Sequence, residues 1–268
     1  MADPRYLATA VEIVLRAGQI QLRGQTDGFT ITKKGAIDLV TEVDLACEQM
    51  CRDVVAAHFP NHAVLGEEGG EAQHTASHRW VFDPVDGTTN YAHGLPIYCS
   101  SLALEIDGVG EVAAIFDPSR QELFTAERGR GAFRNGRPLA VSQTATVDDA
   151  LLVTGFPYDV RARGPELIET FAAFLDQARA VRRLGSAALD LCYVAAGRFD
   201  GFWEQHLQRW DIAAGVLIVR EAGGVVTGTD GAPVDMTAPH LVASNGLIHD
   251  GMLQVIRDAR TKPERSAD

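Results

Sequence analysis

The sequence predicts a mixed α/β (α+β) fold with an antiparallel sheet in its first half. Three observations support this prediction. An amphipathic helix with the start signal Asp3-Pro4 opens the chain. Several β-like runs then lie between residues 98 and 141, with Asn135-Gly136 as a strong hairpin signal. From residue 151 to 227, short runs of strand and helix character alternate, which is the signature of α/β units.

The chain is long and apolar enough to bury a sizeable core, since 46% of its 268 residues are hydrophobic. We expect a single catalytic domain over residues 1–268. Its approximate halves are an α+β part with the antiparallel sheet, 1–145, and an α/β part, 146–260. Residues 261–268 form a polar tail.

In the first half, helical spacing after Asp3-Pro4 predicts a helix that ends at Gly24. A short strand through Phe29 and Ile31 leads into an exposed, mobile loop at Lys33-Lys34-Gly35. The later elements are a helix from Asp44 to about His58, a strand Ala63 to Leu65 that ends at Gly66-Glu67-Glu68, and strands Ser101 to Ile106, Glu111 to Phe116, Glu122 to Ala126 and Gly131 to Arg134.

In the second half, each of the first three predicted strands is followed by a predicted helix. The strands are Leu151 to Thr154, Ala180 to Arg183, Gly201 to Glu204 and Val225 to Thr227. The helices are Pro165 to Ala178, Ser186 to Ala196 and Asp211 to Glu221.

Charge and composition exclude several classes of protein. The net charge of −12 opposes nucleic-acid binding, which needs a basic face. The apolar stretch Leu7 to Leu22 is interrupted by Glu12, Arg16 and Gln19, so we expect no membrane segment and a soluble, cytoplasmic protein. The four cysteines form no C-x-x-C pair, which predicts buried free thiols.

The segment Trp80 to Asn90 carries the clearest chemical signal. It brings Asp83 and Asp86 to one turn, followed by Gly87 and two threonines. If the chain coils there, the two β-carbons lie roughly 5 to 6 Å apart and the carboxylates can share a cation. Oxygen-only ligands favour Mg²⁺, and Gly87 with the amides after it can approach a phosphate. The turn is thus predicted to bind metal and phosphate together.

Each acidic motif also has a purely structural interpretation. Glu67 and Glu68 are typical of solvated surface charges, Asp44 or Thr41 can cap the following helix, and Asp211 can cap its own helix. Gly185-Ser186-Ala187-Ala188 can serve close packing, and Glu204 can be a rim charge. Asp83 to Thr89 can be an Asx turn with a helix cap. The Asp-x-x-Asp spacing opposes the Asp-x-Asp nucleophile of haloacid-dehalogenase phosphatases.

Taken together and in order, these motifs resemble the inositol monophosphatase family of Mg²⁺-dependent, lithium-sensitive phosphatases. They are Gly-Glu-Glu, Asp-Pro-Val-Asp-Gly-Thr-Thr-Asn, Gly-Ser-Ala-Ala and Trp-Asp-Ile-Ala-Ala-Gly. The resemblance covers about Val11 to Ile256. It implies a layered αβαβα sandwich of the inositol monophosphatase/fructose-1,6-bisphosphatase type, usually a homodimer, with the site between the two halves.

The resemblance also implies a role for individual residues. Glu67, Asp83 and the Val85 carbonyl would hold one Mg²⁺, and Asp83, Asp86 and Asp211 a second. Gly87 and Thr88 would bind phosphate, while Asp44 paired with Thr88 would orient the attacking water. Lys33 and Asp38 would lie on a mobile loop over the site, and Gly185, Ser186, Ala187 and Glu204 would face the substrate's alcohol portion.

The expected reaction is hydrolysis of inositol monophosphate or another small polyol phosphate by metal-activated water, which Glu67 and Thr88 aim at phosphorus, without a covalent intermediate. Histidinol-phosphate phosphatase is the first alternative, and fructose-1,6-bisphosphatase activity is another. A regulatory protein that binds transcription machinery is an alternative of a different class. Tyr91 and Gln208-Arg209 depart from residues common among relatives, and neither departure falls on an inferred metal ligand.

Overall fold

The computed structural model describes residues 3–33, 39–71, 76–157, 160, 165–237 and 239–261. The elements of the first half are α1 Pro4–Asp27, β1 Ile31–Lys33, β2 Leu39–Thr41, α2 Glu42–His58, β3 Ala63–Gly66, β4 Gly70–Glu71, β5 His78–Asp86, α3 Thr88–Ala92, β6 Cys99–Ile106, β7 Val109–Asp117, β8 Glu122–Glu127, β9 Ala132–Arg134 and β10 Arg137–Pro138. Those of the second half are β11 Leu151–Thr154, α4 Pro165–Gln177, β12 Ala180–Arg182, α5 Ala187–Ala195, β13 Gly201–Gln205, α6 Arg209–Glu221, β14 Val225–Gly228, β15 His240–Ser244 and α7 His249–Thr261.

Two large sheets organise these elements. The first has eight strands in the order β10-β9-β8-β7-β6-β5-β3-β4 and is antiparallel except where β3 meets β5. The second has five strands in the order β12-β11-β13-β15-β14, with parallel pairs at β11 and antiparallel pairs at β15. The first sheet is built from residues 63–138 and the second from residues 151–244.

The layers follow from which residues each face buries. Strand β5 alternates, so that Trp80 and Phe82 pack with α1 and α2 while Val81 packs with α5 and α6. Phe202 and Leu241 of the second sheet join the same inner core as Val81. Helices α4 and α7 cover the outer face of the second sheet around Trp203. The order of layers is helix, sheet, helix, sheet, helix, which confirms the αβαβα sandwich.

Three predicted helix boundaries were wrong. Helix α6 begins at Arg209 rather than at Asp211. Helix α1 does not end at Gly24 but continues to Asp27. A β-carbon on Gly24 would lie 2.3 Å from the Tyr91 hydroxyl, so this glycine serves close packing. Helix α2 begins at Glu42 rather than Asp44, because Thr41 is its N-cap and Asp44 completes the capping box. Strand β15 and helix α7 were not predicted.

The remaining general expectations can be compared with the structure directly. Within the described part of the chain, no helix combines the length and apolar character that a bilayer crossing requires. All four cysteines are buried and free, as predicted. Lys34, Gly35 and Asp38, like the tail from residue 262 onward, lie outside the described residues, and nothing is described of the Lys33 side chain.

Candidate active site

A cavity of about 490 Å³ lies where the carboxyl end of β5 meets the amino ends of α5 and α6. Except for Asp44, the residues predicted to bind metal, phosphate or alcohol all line this cavity. They are Glu67, Asp83, Val85, Asp86, Gly87, Thr88, Gly185, Ser186, Ala187, Glu204 and Asp211. The sequence motifs of both halves therefore face one space.

The end of β5 supplies the first part of this wall. Asp83 and Asp86 lie in a buried strand whose register with β6 shifts between them, so the expected coiled turn at this point was wrong. The Asp83 Oδ1 atom accepts the Val85 amide at 3.0 Å, and the Thr88 hydroxyl donates to the Val85 carbonyl at 2.9 Å. The bulge thus directs two carboxylates and a carbonyl toward the cavity.

Gly87 joins this strand to the short helix α3. Its φ is +100°, in the left-handed region that side chains disfavour. A β-carbon there would lie 2.8 Å from the Ile97 carbonyl oxygen. Among the described residues no side chain caps α3, so none of them places a capping oxygen on its first amides. This is a suitable place for a small anion.

Asp86 and Asn90 connect the turn to the second half of the chain. The Asp86 Oδ2 atom accepts from the Ser186 hydroxyl and from the Ala188 amide, both at 2.7 Å. The Asn90 amide group donates to the Leu184 carbonyl at 2.9 Å. These bonds hold the amino end of α5 against the β5 turn, which explains why the small residues of this segment line the cavity.

Glu67 reaches the cavity from the turn after β3. The Glu48 carboxylate of α2 accepts the amides of Glu68 and Gly69, at 2.8 and 2.9 Å, and is paired with Arg52 at 2.7 Å. This network fixes the backbone on the far side of Glu67. Sequence motifs alone gave no role to Glu48.

Asp211 enters from the first turn of α6. Its Oδ2 atom accepts the Gln208 amide at 2.6 Å, so the predicted capping interaction exists. Asp211 also lines the cavity with Asp83 and Asp86. The capping and cavity-facing positions are therefore occupied by the same side chain.

The electrostatics of these acids are unfavourable. Burial raises the pKa of Asp83 well above its ordinary value, and the charges of Glu67 and Asp86 raise that pKa further. Burial also raises the pKa of Asp211, against the opposing bond from Gln208. For Asp86, burial raises the pKa to about 6 although Ser186 and Ala188 donate to it.

The donor set suits a hard divalent cation in chemistry and location, because it consists of oxygens on clustered, mutually repelling acids. Within the described ranges, however, no three Asp, Glu, His or Cys side chains are arranged to hold an ion as they stand. One oxygen of Asp83 and one of Asp211 are taken by backbone amides. Binding an ion would therefore require these side chains to turn toward one another.

The other end of the cavity has a different character. Burial raises the pKa of Glu204 to about 8, with Arg183 acting in the opposite direction. A β-carbon on Gly155 would lie 2.1 Å from the Glu204 carboxylate, so Gly155 makes room for that group. Phe156 and Trp210 also line this end. Its mixture of polar and aromatic groups suits an organic alcohol portion.

Arg183 and His206 line the cavity but were not singled out from the sequence. His206 has a φ of +62°, unusual for a residue other than glycine. Its amide donates to the His240 Nδ1 atom at 3.1 Å, and the two rings meet edge to face at 4.5 Å. No motif signals this arrangement, since it depends on the pairing of β13 with β15.

Asp44 does not line the cavity. Its Oδ2 atom accepts the Thr41 amide at 2.8 Å and the Thr41 hydroxyl at 2.5 Å. The single Thr88 hydroxyl proton points to the Val85 carbonyl. The pairing of Asp44 with Thr88 stays a prediction.

The sequence matches the model of the inositol monophosphatase family over residues 3–261. It is 40% identical over 260 residues to the inositol-1-monophosphatase of Rhizobium meliloti, covering 96% of this chain and 98% of that protein. It is 42% identical over 255 residues to the Nus factor SuhB of Escherichia coli K12, covering 94% and 96%. The structure resembles the inositol monophosphatase of Anabaena (Nostoc) with a TM-score of 0.86 and 39% identity, covering 95% and 96%.

Proposed function

The chain belongs to the inositol monophosphatase family of phosphoric monoester hydrolases, and we propose that it hydrolyses inositol monophosphate or a closely similar polyol phosphate with Mg²⁺. The observation that carries this proposal is the convergence of Glu67, Asp83, Asp86 and Asp211 on one cavity beside the Gly87 turn. These acids come from both halves of what we propose is one catalytic domain.

We assign Glu67, Asp83 and the Val85 carbonyl to one Mg²⁺, and Asp83, Asp86 and Asp211 to a second. Bound Mg²⁺ supplies a water of lowered pKa and offsets the charge that develops on the departing alkoxide. Asp83 belongs to both sets, so its loss affects both. The raised pKa of Asp83 supports the assignment, because a cation would relieve the repulsion that burial imposes on this acid.

The protein's own groups bind and orient the substrate. The amides at Gly87 and Thr88 are assigned to the phosphate oxygens. The Thr88 hydroxyl donates a hydrogen bond to the Val85 carbonyl, and its oxygen can still accept a hydrogen bond from the attacking water. Glu67, across the same cavity, is assigned to accept the proton of that water.

We assign Gly185, Ser186, Ala187 and Glu204 to the alcohol portion of the substrate. All four line the cavity beyond the acidic wall, and Ser186 is held by its bond to Asp86. The assignment needs no covalent phosphoenzyme, since a water held at the Thr88 hydroxyl would attack phosphorus directly. We also propose that Asp44 orients that water through Thr88, which requires the Thr88 hydroxyl to turn from the Val85 carbonyl to Asp44.

The test is a substrate panel with purified protein and Mg²⁺. Inositol 1-phosphate, histidinol phosphate, fructose 1,6-bisphosphate and 3′-phosphoadenosine 5′-phosphate represent the candidate classes. We expect the highest kcat/KM for inositol 1-phosphate and no turnover in excess EDTA. A clear preference for histidinol phosphate or the bisphosphate would replace the proposed substrate. Full turnover in EDTA would contradict the metal assignment.

A regulatory role is the second candidate, favoured by the 42% identity to the Nus factor SuhB of Escherichia coli. The net charge of −12 opposes direct RNA binding but not a protein partner in the transcription machinery. Pull-down of RNA polymerase by the Asp83→Asn variant separates this role from catalysis. The homodimer and the cytoplasmic location stay predictions, and light scattering after gel filtration tests the first.

A further inference from the structure

A buried ion pair connects the helix that carries Asp211 to the first sheet. Arg209 is the first residue of α6, two positions before Asp211. Its Nε atom donates to Glu105 Oε1 at 2.9 Å and to Oε2 at 3.1 Å, and its Nη2 atom donates to Oε2 at 2.9 Å. The Glu105 side chain is 3% exposed and that of Arg209 17% exposed. The guanidinium is thus fixed in orientation as well as in position.

Glu105 lies on β6, the strand that pairs with the strand of the other acids, four positions along β6 from Ser101, which lies opposite Asp83. It lies on β6 directly opposite Arg79 of β5, and the Arg79 Nη1 atom is 3.8 Å from Glu105 Oε2. Strand β5 ends at Asp83 and Asp86. The ion pair therefore joins the start of α6 to the strand pair from which these two aspartates project.

Within the part of the chain that the structure describes, the side-chain hydrogen bond of Asp211 stays inside its own segment. Its Oδ2 atom accepts the amide of Gln208, which directly precedes α6 in sequence. Other contacts of α6 with the first sheet include the apolar side chains of Ile212 and Val216. At the far end of α6, Glu221 accepts the amides of Gly129 and Gly131 in the turn between β8 and β9, so this polar contact holds the end of the helix opposite Asp211. Apolar burial is not directional and permits small shifts of a helix, whereas a bidentate arginine pair allows one orientation.

We propose that Glu105 and Arg209 are a positioning pair that sets Asp211 against Asp83 and Asp86 so that the three carboxylates can share one Mg²⁺. The inference rests on the proposed function for the identity of the ion. Neither residue touches substrate or metal in this proposal. Both act through the placement of α6.

The primary test measures Mg²⁺ binding by isothermal titration calorimetry, which does not depend on turnover. Arg209→Lys keeps the positive charge but cannot form the bidentate hydrogen bonds of the guanidinium. Glu105→Gln keeps the shape of the side chain but removes its negative charge. We expect each variant to bind Mg²⁺ about 10-fold more weakly or worse, because the loss of a group that orients metal ligands typically lowers metal affinity by about 10- to 100-fold. With saturating Mg²⁺, kcat should stay within about two-fold of wild type, since no reacting group is removed.

Arg198 and Glu122 provide a matched control. They form a second bidentate ion pair between the halves, in which Arg198 Nη1 donates to Glu122 Oε2 at 2.6 Å. Neither residue lines the cavity. Arg198→Lys and Glu122→Gln should therefore leave Mg²⁺ binding unchanged. Equal weakening in both sets would show a general effect of stability and would overturn the proposal.

A double variant, Glu105→Leu with Arg209→Met, separates position from stability. Replacing a buried ion pair with apolar residues is often neutral or stabilising, so this variant should stay folded. The proposal requires it to bind Mg²⁺ weakly despite that stability. Wild-type Mg²⁺ affinity in this folded variant would overturn the positioning role. Wild-type protein that binds Mg²⁺ but hydrolyses no phosphate ester would instead refute only the proposed function.

Discussion

Buried carboxylates occur in two regions of this protein, and the fold treats them in opposite ways. Asp117, at the end of β7, is fully buried and accepts the amides of Ser119 and Arg120 together with the Arg120 guanidinium at 3.0 Å. Asp83, at the end of β5, is equally buried, but its neighbours Glu67 and Asp211 are acids that raise its pKa. One region is neutralised by the chain itself, and the other is not.

The difference indicates what each region is for. A buried acid that is bonded to an arginine and to backbone amides contributes to folding. A buried acid beside other acids lowers stability in the absence of a cation. Such a loss of stability in favour of activity is common at functional sites. The position of a counter-charge, rather than burial, therefore distinguishes structural acids from candidate metal ligands here.

The largest expected effect is that of Asp83→Asn. If Asp83 serves two ions, its loss should lower kcat on the order of 10² to 10³ or more. The same variant should be more stable than wild type in EDTA, because it removes a repelled buried charge. Steady-state kinetics and thermal unfolding measure the two effects. Full activity, or lower stability in EDTA, would contradict the comparison.

Asp117→Asn should show the reverse pattern. It weakens a charge-assisted bond to Arg120 and leaves the amides of Ser119 and Arg120 with a poorer acceptor, so unfolding should become easier by about 2 kcal/mol. The activity of the folded fraction should be unchanged, since Asp117 does not line the cavity. Urea denaturation with kcat measured per folded molecule checks this. A lower kcat with unchanged stability would contradict the purely structural role of Asp117.

The pH dependence of stability should also differ between the regions. Burial raises the pKa of Glu204 from its ordinary 4.5 to about 8 and that of Asp44 from 3.8 to about 6. A carboxyl group whose pKa is raised in the folded state stabilises that state at low pH. This contribution is lost as the pH rises from the ordinary pKa to the folded-state pKa, which is about 6 for Asp44 and about 8 for Glu204. The melting temperature in EDTA should therefore fall between pH 5 and pH 8.

The arginine-bonded acid Glu122 gives the contrasting case. Burial alone would raise the pKa of Glu122, but its bond and charge interaction with Arg198 lower the pKa overall. Its contribution is present above its ordinary pKa and is lost as the pH falls. Comparing wild type with Glu122→Gln and Glu204→Gln by calorimetry assigns the slopes. A melting temperature in EDTA that rises from pH 5 to pH 8 and is insensitive to Glu204→Gln would contradict the prediction.

The smallest expected effect is that of Glu204→Gln on substrate preference. Glu204 lines the cavity but is not one of the assigned metal ligands. The change should alter relative kcat/KM across the substrate panel by several-fold to about 10-fold, the range of a single hydrogen bond, and should leave Mg²⁺ binding unchanged. Identical relative kcat/KM values for all four substrates would remove Glu204 from the alcohol site.

Much of the fold and site could be predicted because the signals are local. Asp83, Asp86 and Gly87 are adjacent in sequence, and Asp211 is marked by its helix start. The resemblance then indicated that these segments meet. The exact form of the β5 end could not be predicted, since its bulge depends on the register with β6.

Other residues of the site depend on pairings that sequence does not reveal. The sequence assigned no role to Arg209, because Arg209 is not a metal ligand. Its partner Glu105 lies 104 positions away on another element, so no local pattern indicates the pair. His206 lines the cavity only because β13 and β15 pair behind it. Long-range partners of this kind are set by the packing of layers, which a local pattern does not encode.

The most direct test of the central claim is a crystal structure of the protein with Mn²⁺ in place of Mg²⁺, with anomalous scattering used to locate the metal. We predict anomalous peaks inside the cavity, bound by carboxylate oxygens of Glu67, Asp83, Asp86 and Asp211, and the loss of these peaks in Asp83→Asn. Mn²⁺ bound elsewhere on the chain, or an empty cavity at saturating Mn²⁺, would contradict the account.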